Sequence, residues 1–231
     1  MKYIKKTIPY IFSILNIYFI FVLSFYIVLY FDKNFLINLF DKFDVYKNLP
    51  FEISKQDINK IAYELMDYLR GHRVFLDTKI QINGSLKELY SLTAKIHMSD
   101  VKNIFITNIH LAGYCFLISN MILIIYSYKN KLNIILKSYI KTVIIFFIML
   151  FSILIYALFD FSSFFELFHK MIFTNDFYLF DPNVDYIILM LPEELFAFVG
   201  LKVFLLFILL IVTFLSFIYF FSKIQSHLEA K

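Results

Sequence analysis

Much of what soluble enzymes are built around is missing from this chain. With only four glycines in 231 residues, and Gly84 standing alone, there is no glycine-rich loop to cradle a phosphate. The one cysteine, Cys115, lies inside an apolar run, so the sequence offers neither an internal disulfide nor a cysteine-based metal site. We read it as a small packing residue. There is no HExxH pair for zinc and no Gly-x-Ser-x-Gly turn, and no serine stands out as a nucleophile. Internal repeats and low-complexity linkers are also absent. The net charge of +4 is spread over separate lysine clusters without a basic, aromatic-interleaved stripe, so no nucleic-acid partner is expected. Asp, Glu and Arg are missing from the middles of the long apolar runs, and none is split by a Pro/Gly-rich interruption of the transporter kind, so the pattern of a secondary transporter does not apply.

What the chain does have is apolar mass. It is 61% hydrophobic and 21% aromatic, with a mean hydropathy of +0.74. Apolar runs of about 20 residues match the length of a bilayer-spanning helix, and in lipid the backbone satisfies itself internally, which favours helices. The fold expected is an all-α membrane protein: one membrane domain over 1–231, a four-transmembrane-helix bundle with spans near 8–31, 104–128, 142–159 and 195–221. The first run is too long for a signal peptide and ends in Tyr30-Phe31-Asp32 without a small-residue cleavage pattern, so it reads as an uncleaved span. Pro9 near its start is acceptable at the beginning of a helix.

Orientation follows from lysine. Three lysines precede the first run, four lie in the short loop YKNKLNIILKSYIK between the second and third, and two are in the tail. The positive-inside rule places these in the cytoplasm, with both termini. The segments 32–103 and 160–194 then both face outward, as extracellular regions.

The first outward segment carries eleven Lys/Arg and ten Asp/Glu. In it Ser54 reads as an N-cap with Asp57 three residues on, Ile58, Ile61, Ala62, Leu65 and Met66 recur at helical spacing, and Gly71 closes an amphipathic helix. Lys79–Ile82 followed by Asn83-Gly84 reads as a hairpin. Phe35, Leu36, Leu39, Phe40 and Phe43 are expected to dip into the lipid headgroups. Residues 91–103 read as a helix running into the second span.

Two polar strings carry the candidate chemistry. In His97-Met98-Ser99-Asp100-Val101, His97 and Asp100 are three apart and share a helix face, so Asp100 is placed to fix the tautomer of the imidazole. In the second outward segment His169 follows Glu166 by three residues, with Lys170 turned to solvent. Its neighbours Phe164, Phe165, Phe168, Phe173, Phe177, Tyr178 and Phe180 suit the membrane interface and partly desolvate the imidazole, as a neutral general base requires. Asp181-Pro182-Asn183 reads as a turn, Asp185 as a cap on a short helix 186–191, and Glu193 and Glu194 as first-turn acids of the last helix, where the helix dipole favours them.

With these strings in view, the chain resembles the lipoprotein intramolecular transacylases, a family of four-span bacterial membrane proteins. The likeness rests on HMSDV before the second span and on His169, Asn175-Asp176, Asp181-Pro182, Asp185 and Leu191-Pro192-Glu193-Glu194 in order. The tryptophan common in the family's loop is absent, with Phe177 or Tyr178 in its place. The resemblance implies an acyltransferase acting on diacylglyceryl-modified lipoproteins among membrane lipids. In that reaction the sn-2 acyl chain moves to the α-amine of the substrate's own N-terminal cysteine. It also implies that His97 and His169 are catalytic. Asp100, Glu166, Asp181, Asp185 and Glu193 are then expected to support them, and no cofactor is called for. Two other readings fit the same residues: a hydrolytic or metal-dependent membrane enzyme, with His97, His169 and Asp100 as ligands, and a non-enzymatic membrane protein whose outward loop binds a partner.

Overall fold

A computed structural model describes residues 2–82 and 84–229, with side chains over 6–82 and 84–228. Its helices are α1 (Lys2–Tyr30), α2 (Phe35–Lys42), α3 (Lys55–Leu69), α4 (Leu92–Tyr128), α5 (Leu132–Phe159), α6 (Phe161–Ile172), α7 (Ile187–Met190) and α8 (Glu193–Glu229), and a two-stranded antiparallel hairpin, β1 (Lys79–Ile82) and β2 (Ser85–Glu88), precedes α4. Among the described residues four helices are long and apolar enough to cross a membrane, over Lys6–Tyr30, Leu92–Tyr128, Leu132–Phe159 and Glu193–Leu228. At about 1.5 Å per residue, α4 with its 37 residues is far longer than a hydrocarbon core of about 30 Å. Its apolar run begins at Ile104. Residues 92–103, which include Lys95, Asp100 and Lys102, are the part ahead of the span.

The chain divides into two compact units. The first comprises Met1–Ile27, Ile109–Leu158 and Leu201–Lys231. Its core gathers Phe12, Ile17 and Ile20 of α1, Ile135, Leu136, Tyr139 and Val143 of α5, and Phe207, Ile211 and Ile218 of α8. One buried polar pair crosses this core: the Tyr139 hydroxyl donates to Asn16 Oδ1 at 2.8 Å. Gln225 joins the turn between α4 and α5, donating from Nε2 to the Ser127 carbonyl at 2.8 Å and accepting the Leu132 N–H at 3.4 Å. The lysine-rich stretch read as a loop is therefore mostly helix. Only residues 129–131 turn, with Asn130 at φ 56°, and Leu132, Ile135, Leu136 and Tyr139 are buried. Pro9 also lies inside α1, a position reached because the helix starts at Lys2, several residues before the apolar run.

The second unit comprises Val28–Asn108 and Phe159–Gly200. The Ser54 side chain accepts the Asp57 N–H and starts α3. The helix ends as expected at Gly71, whose φ of +84° is open to glycine without strain. There the Gly71 N–H reaches the Tyr68 carbonyl and the His72 N–H the Asp67 carbonyl, at 3.0 and 3.1 Å, closing the helix end with paired bonds. The hairpin pairs Ile82 with Ser85 across its turn. Gly84 has φ +77°, while Asn83, the other half of the predicted dipeptide, lies outside the described residues. One expectation is overturned. Phe35, Leu36, Leu39 and Phe40 do not face lipid headgroups but are buried, because α2 lays this face on α3; Phe43 meets Phe198 edge-on at 5.9 Å.

Hydrogen bonds inside membrane bundles contribute about 0.6 kcal/mol on average and up to about 1.7. Tyr139→Phe, which strands the Asn16 amide, is expected to cost about 1 kcal/mol. Thermal unfolding in detergent checks this, and in the Asn16→Leu background the same substitution is expected to cost much less.

Candidate active site

Ser91 begins the helix that carries His97, its Oγ accepting the Ala94 N–H at 3.0 Å. The same hydroxyl donates to Asp185 Oδ1. His97 sits two turns into α4 and is 5% exposed. Asp160 starts α6 in the same manner, its carboxylate accepting the Ser163 N–H at 3.0 Å, and His169 falls in the last turn of that helix.

The two imidazoles, 72 residues apart by number (169 − 97), meet within the second unit. Their ring centroids are 5.8 Å apart with the planes tilted by 33°. Aromatic rings enclose both. Phe173 and Phe180 stand 4.7 and 5.3 Å from His97. Phe165, Tyr178, Phe168 and Phe173 lie 4.4, 5.1, 5.6 and 5.7 Å from His169. Of the two residues expected in place of the tryptophan, Tyr178 is the one packed on the imidazole.

The hydrogen bonds distinguish the two rings. His169 Nδ1 lies 2.7 Å from the Phe165 carbonyl oxygen. A carbonyl only accepts, so Nδ1 carries a proton, and in the neutral ring Nε2 is the nitrogen with the lone pair. His97 Nδ1 is buried with no hydrogen-bond partner. Burial pushes the His97 imidazole down from 6.5 to about 4, with His169 adding in the same direction and Asp100 opposing. Its ring is therefore neutral at neutral pH.

The supporting residues separate into those near the imidazoles and those turned away. Asp100 is on the His97 side of α4, yet its Oδ2 accepts from Asn175 Nδ2 at 3.0 Å, and no hydrogen bond joins it to His97. Asp185 is buried and caps nothing: α7 has no side-chain cap, and Asp185 Oδ2 accepts the Asp181 N–H at 3.1 Å while Oδ1 takes the Ser91 hydroxyl. The Asp181 carboxylate accepts from the Asn183 backbone and side chain, both at 2.9 Å, and so shapes the turn. Glu193 opens α8, as expected, and accepts the Ser162 hydroxyl. That bond and the Phe165–Phe196 contact at 4.9 Å fasten α6 to the start of α8. Glu166 pairs with Lys170 on an exposed face of α6. Sequence reasoning missed Ser91 and assigned no role to Asn175. Among the described residues no group of three His, Cys, Asp or Glu side chains is placed to hold a metal ion.

The family model described as "Lipoprotein intramolecular transacylase Lit" matches residues 10–196. The chain belongs to the Lit family. It is therefore a multi-pass membrane acyltransferase. Among solved structures it resembles the membrane integral lipoprotein intramolecular transacylase Lit from Bacillus cereus, with 25% identity and a TM-score of 0.77 over 98% of this chain and 100% of that one. Two further structures of the Bacillus cereus protein, with one histidine replaced by arginine or by alanine, also resemble it. Each is 25% identical with a TM-score of 0.74, covering 98% of this chain and 95% or 97% of theirs. No match is found among curated protein sequences.

The buried His97 gives the Lit fold a pH signature. Its folded value of about 4 lies below its ordinary 6.5, so between these the unfolded chain binds more protons. The stabilisation is complete above about pH 6.5 and is lost as the pH falls toward 4. Melting temperatures in detergent are expected to drop over this range, and the drop is expected to shrink in His97→Gln.

Proposed function

We infer that this protein moves the sn-2 acyl chain of a diacylglyceryl-modified lipoprotein to the α-amine of that lipoprotein's own N-terminal cysteine. The product is an N-acyl, S-monoacylglyceryl lyso-form lipoprotein. The observation that carries this reading is the pairing of His97 and His169, with centroids 5.8 Å apart and each in a different hydrogen-bonding state. The family match gives the substrate class. Lysine clusters flanking the first, second and fourth spans support a cytoplasmic location for both termini and an outward-facing site.

An α-amine has a pKa of about 7.7–8.0 and is mostly protonated at neutral pH, so it must lose a proton to attack an ester. His169 suits the general base. Its Nδ1–H is tied to the Phe165 carbonyl, which fixes the ring and presents Nε2 as the acceptor. The ammonium first releases one proton to solvent; as the free amine nitrogen then bonds to the ester carbon, Nε2 takes a second proton from it. When the carbon–oxygen bond breaks, the same proton passes to the departing glycerol oxygen. A positioned acid/base of this kind contributes about 10²–10⁴ in rate.

His97 suits the other task. Buried and neutral, it is a poor base but a fixed N–H donor for the oxyanion of the tetrahedral intermediate, and such a donor acts most strongly where water is excluded. Nucleophile and ester belong to one substrate molecule, so folding them together replaces a second binding event. The route needs no covalent enzyme intermediate.

Cells producing the wild-type chain are expected to yield lipoproteins with acylated α-amines and one acyl chain on the glyceryl group, read by mass spectrometry of their N-terminal peptides. His169→Ala and His97→Ala are each expected to lower product formation by about 10²-fold or more and leave diacylglyceryl-cysteine with a free amine. Equal yields of lyso-form lipoprotein with and without the protein would end this reading. Loss of function on disrupting α3, with both histidine variants active, would favour the partner-binding reading.

A further inference from the structure

Asn175 uses its side-chain amide at both ends. Oδ1 accepts the Phe177 N–H at 3.2 Å and folds the turn in which Asn175 sits, while Nδ2 donates to Asp100 Oδ2 at 3.0 Å. A carboxylate at this position keeps the first bond and loses the second, because it has no donor. One turn before Asp100 on α4 lies His97, whose Nδ1 is buried and without a partner. Asp100 is near enough for its charge to act on that imidazole, and the pair has the three-residue spacing of side chains that meet on a helix. The carboxylate goes to the loop instead.

We propose that Asn175 is a positioning residue. It binds the Asp100 carboxylate to the loop that carries Phe173 and Phe180, and so keeps His97 covered by those rings and unpaired with Asp100. This rests on the reading of His97 as part of the reacting site. The charged or titratable groups facing His97 are His169 from α6 and Asp100 from its own helix. The loop presents the Phe173 and Phe180 rings. When the tether is cut, the Asp100 carboxylate is free to turn to the imidazole and hold its proton. An asparagine that merely stabilised the loop would, when replaced, lower the melting temperature and leave the His97 titration where it was.

The experiment is an NMR titration of the full chain in detergent with isotope-labelled histidine, the His97 signal assigned by its loss in His97→Gln. Asn175→Asp retains the turn acceptor, discards the donor and adds a second carboxylate. Both Asn175→Asp and Asn175→Ala are expected to raise the His97 midpoint by about one pH unit or more. Adding Asp100→Asn is expected to abolish the rise in Asn175→Ala. Unchanged midpoints in both single variants overturn the proposal, as does a rise in Asn175→Ala that survives Asp100→Asn. The titration requires no turnover, so it is decided separately from lyso-form product, whose absence in the wild type would instead remove the transacylase reading.

Discussion

The site depends on how the polar loop after α6 is returned to the start of α4. Two carboxylates do this. Asp185 takes the Ser91 hydroxyl, 94 residues away along the chain, and Asp100 takes the Asn175 amide, 75 residues away. Ser91 is also the residue whose hydroxyl starts α4. The same hydroxyl that begins the helix bearing His97 therefore fixes one side of the loop, and Asp100, one turn past His97, fixes the other. Between these two anchors the loop lays Phe180 over one imidazole and Tyr178 over the second, and Phe173, just before the first anchor, adds a second ring over His97. Buried polar bonds of this sort contribute modestly to net stability and cost much more to leave half-made. Their contribution here is one of register.

That closure gives two chemically identical side chains different properties. His97 is 5% exposed beneath rings, with an unpartnered nitrogen, and loss of water drives it to the neutral form. His169 is half-buried in the last turn of a short helix, with one nitrogen committed to a backbone carbonyl. Environment alone separates two rings of one residue type, one with an unpartnered nitrogen and the other tied to a backbone carbonyl. The hydroxyls in this network are already engaged: Ser91 with Asp185, and Ser162 with Glu193.

Much of the fold was legible because it is local or periodic. Apolar run length marked the four long helices. Ser54 with Asp57, the apolar spacing from Ile58 to Met66, and Gly71 marked α3 at both ends. The alternation in Lys79–Ile82 marked the hairpin. The errors have a common origin, in that residue polarity was read without its packing partners. Lysines at 129–141 suggested a loop, yet Ile135 and Tyr139 between them are fully buried in a helix. An aromatic run at 35–43 suggested lipid contact, yet α3 supplies the apolar surface that covers it.

The candidate site was legible in its residue types and not in its connections. Helical spacing placed Asp100 beside His97, and it is there. Spacing along one helix says which side chains are able to meet, whereas a competing donor from another segment decides which do. Asn175 is that donor, and nothing periodic in the sequence links it to α4. The same holds for Asp185, whose position before a short helix suggested a cap but whose carboxylate faces Ser91. A carboxylate has several lone-pair sites and settles on the donors that tertiary folding brings, and burial makes leaving it unsatisfied expensive. In a site assembled from two distant strings, the polar residues with the least local explanation are therefore the ones that join the strings. Here those are Asp185 and Asn175, on the two sides of the loop that covers the imidazoles.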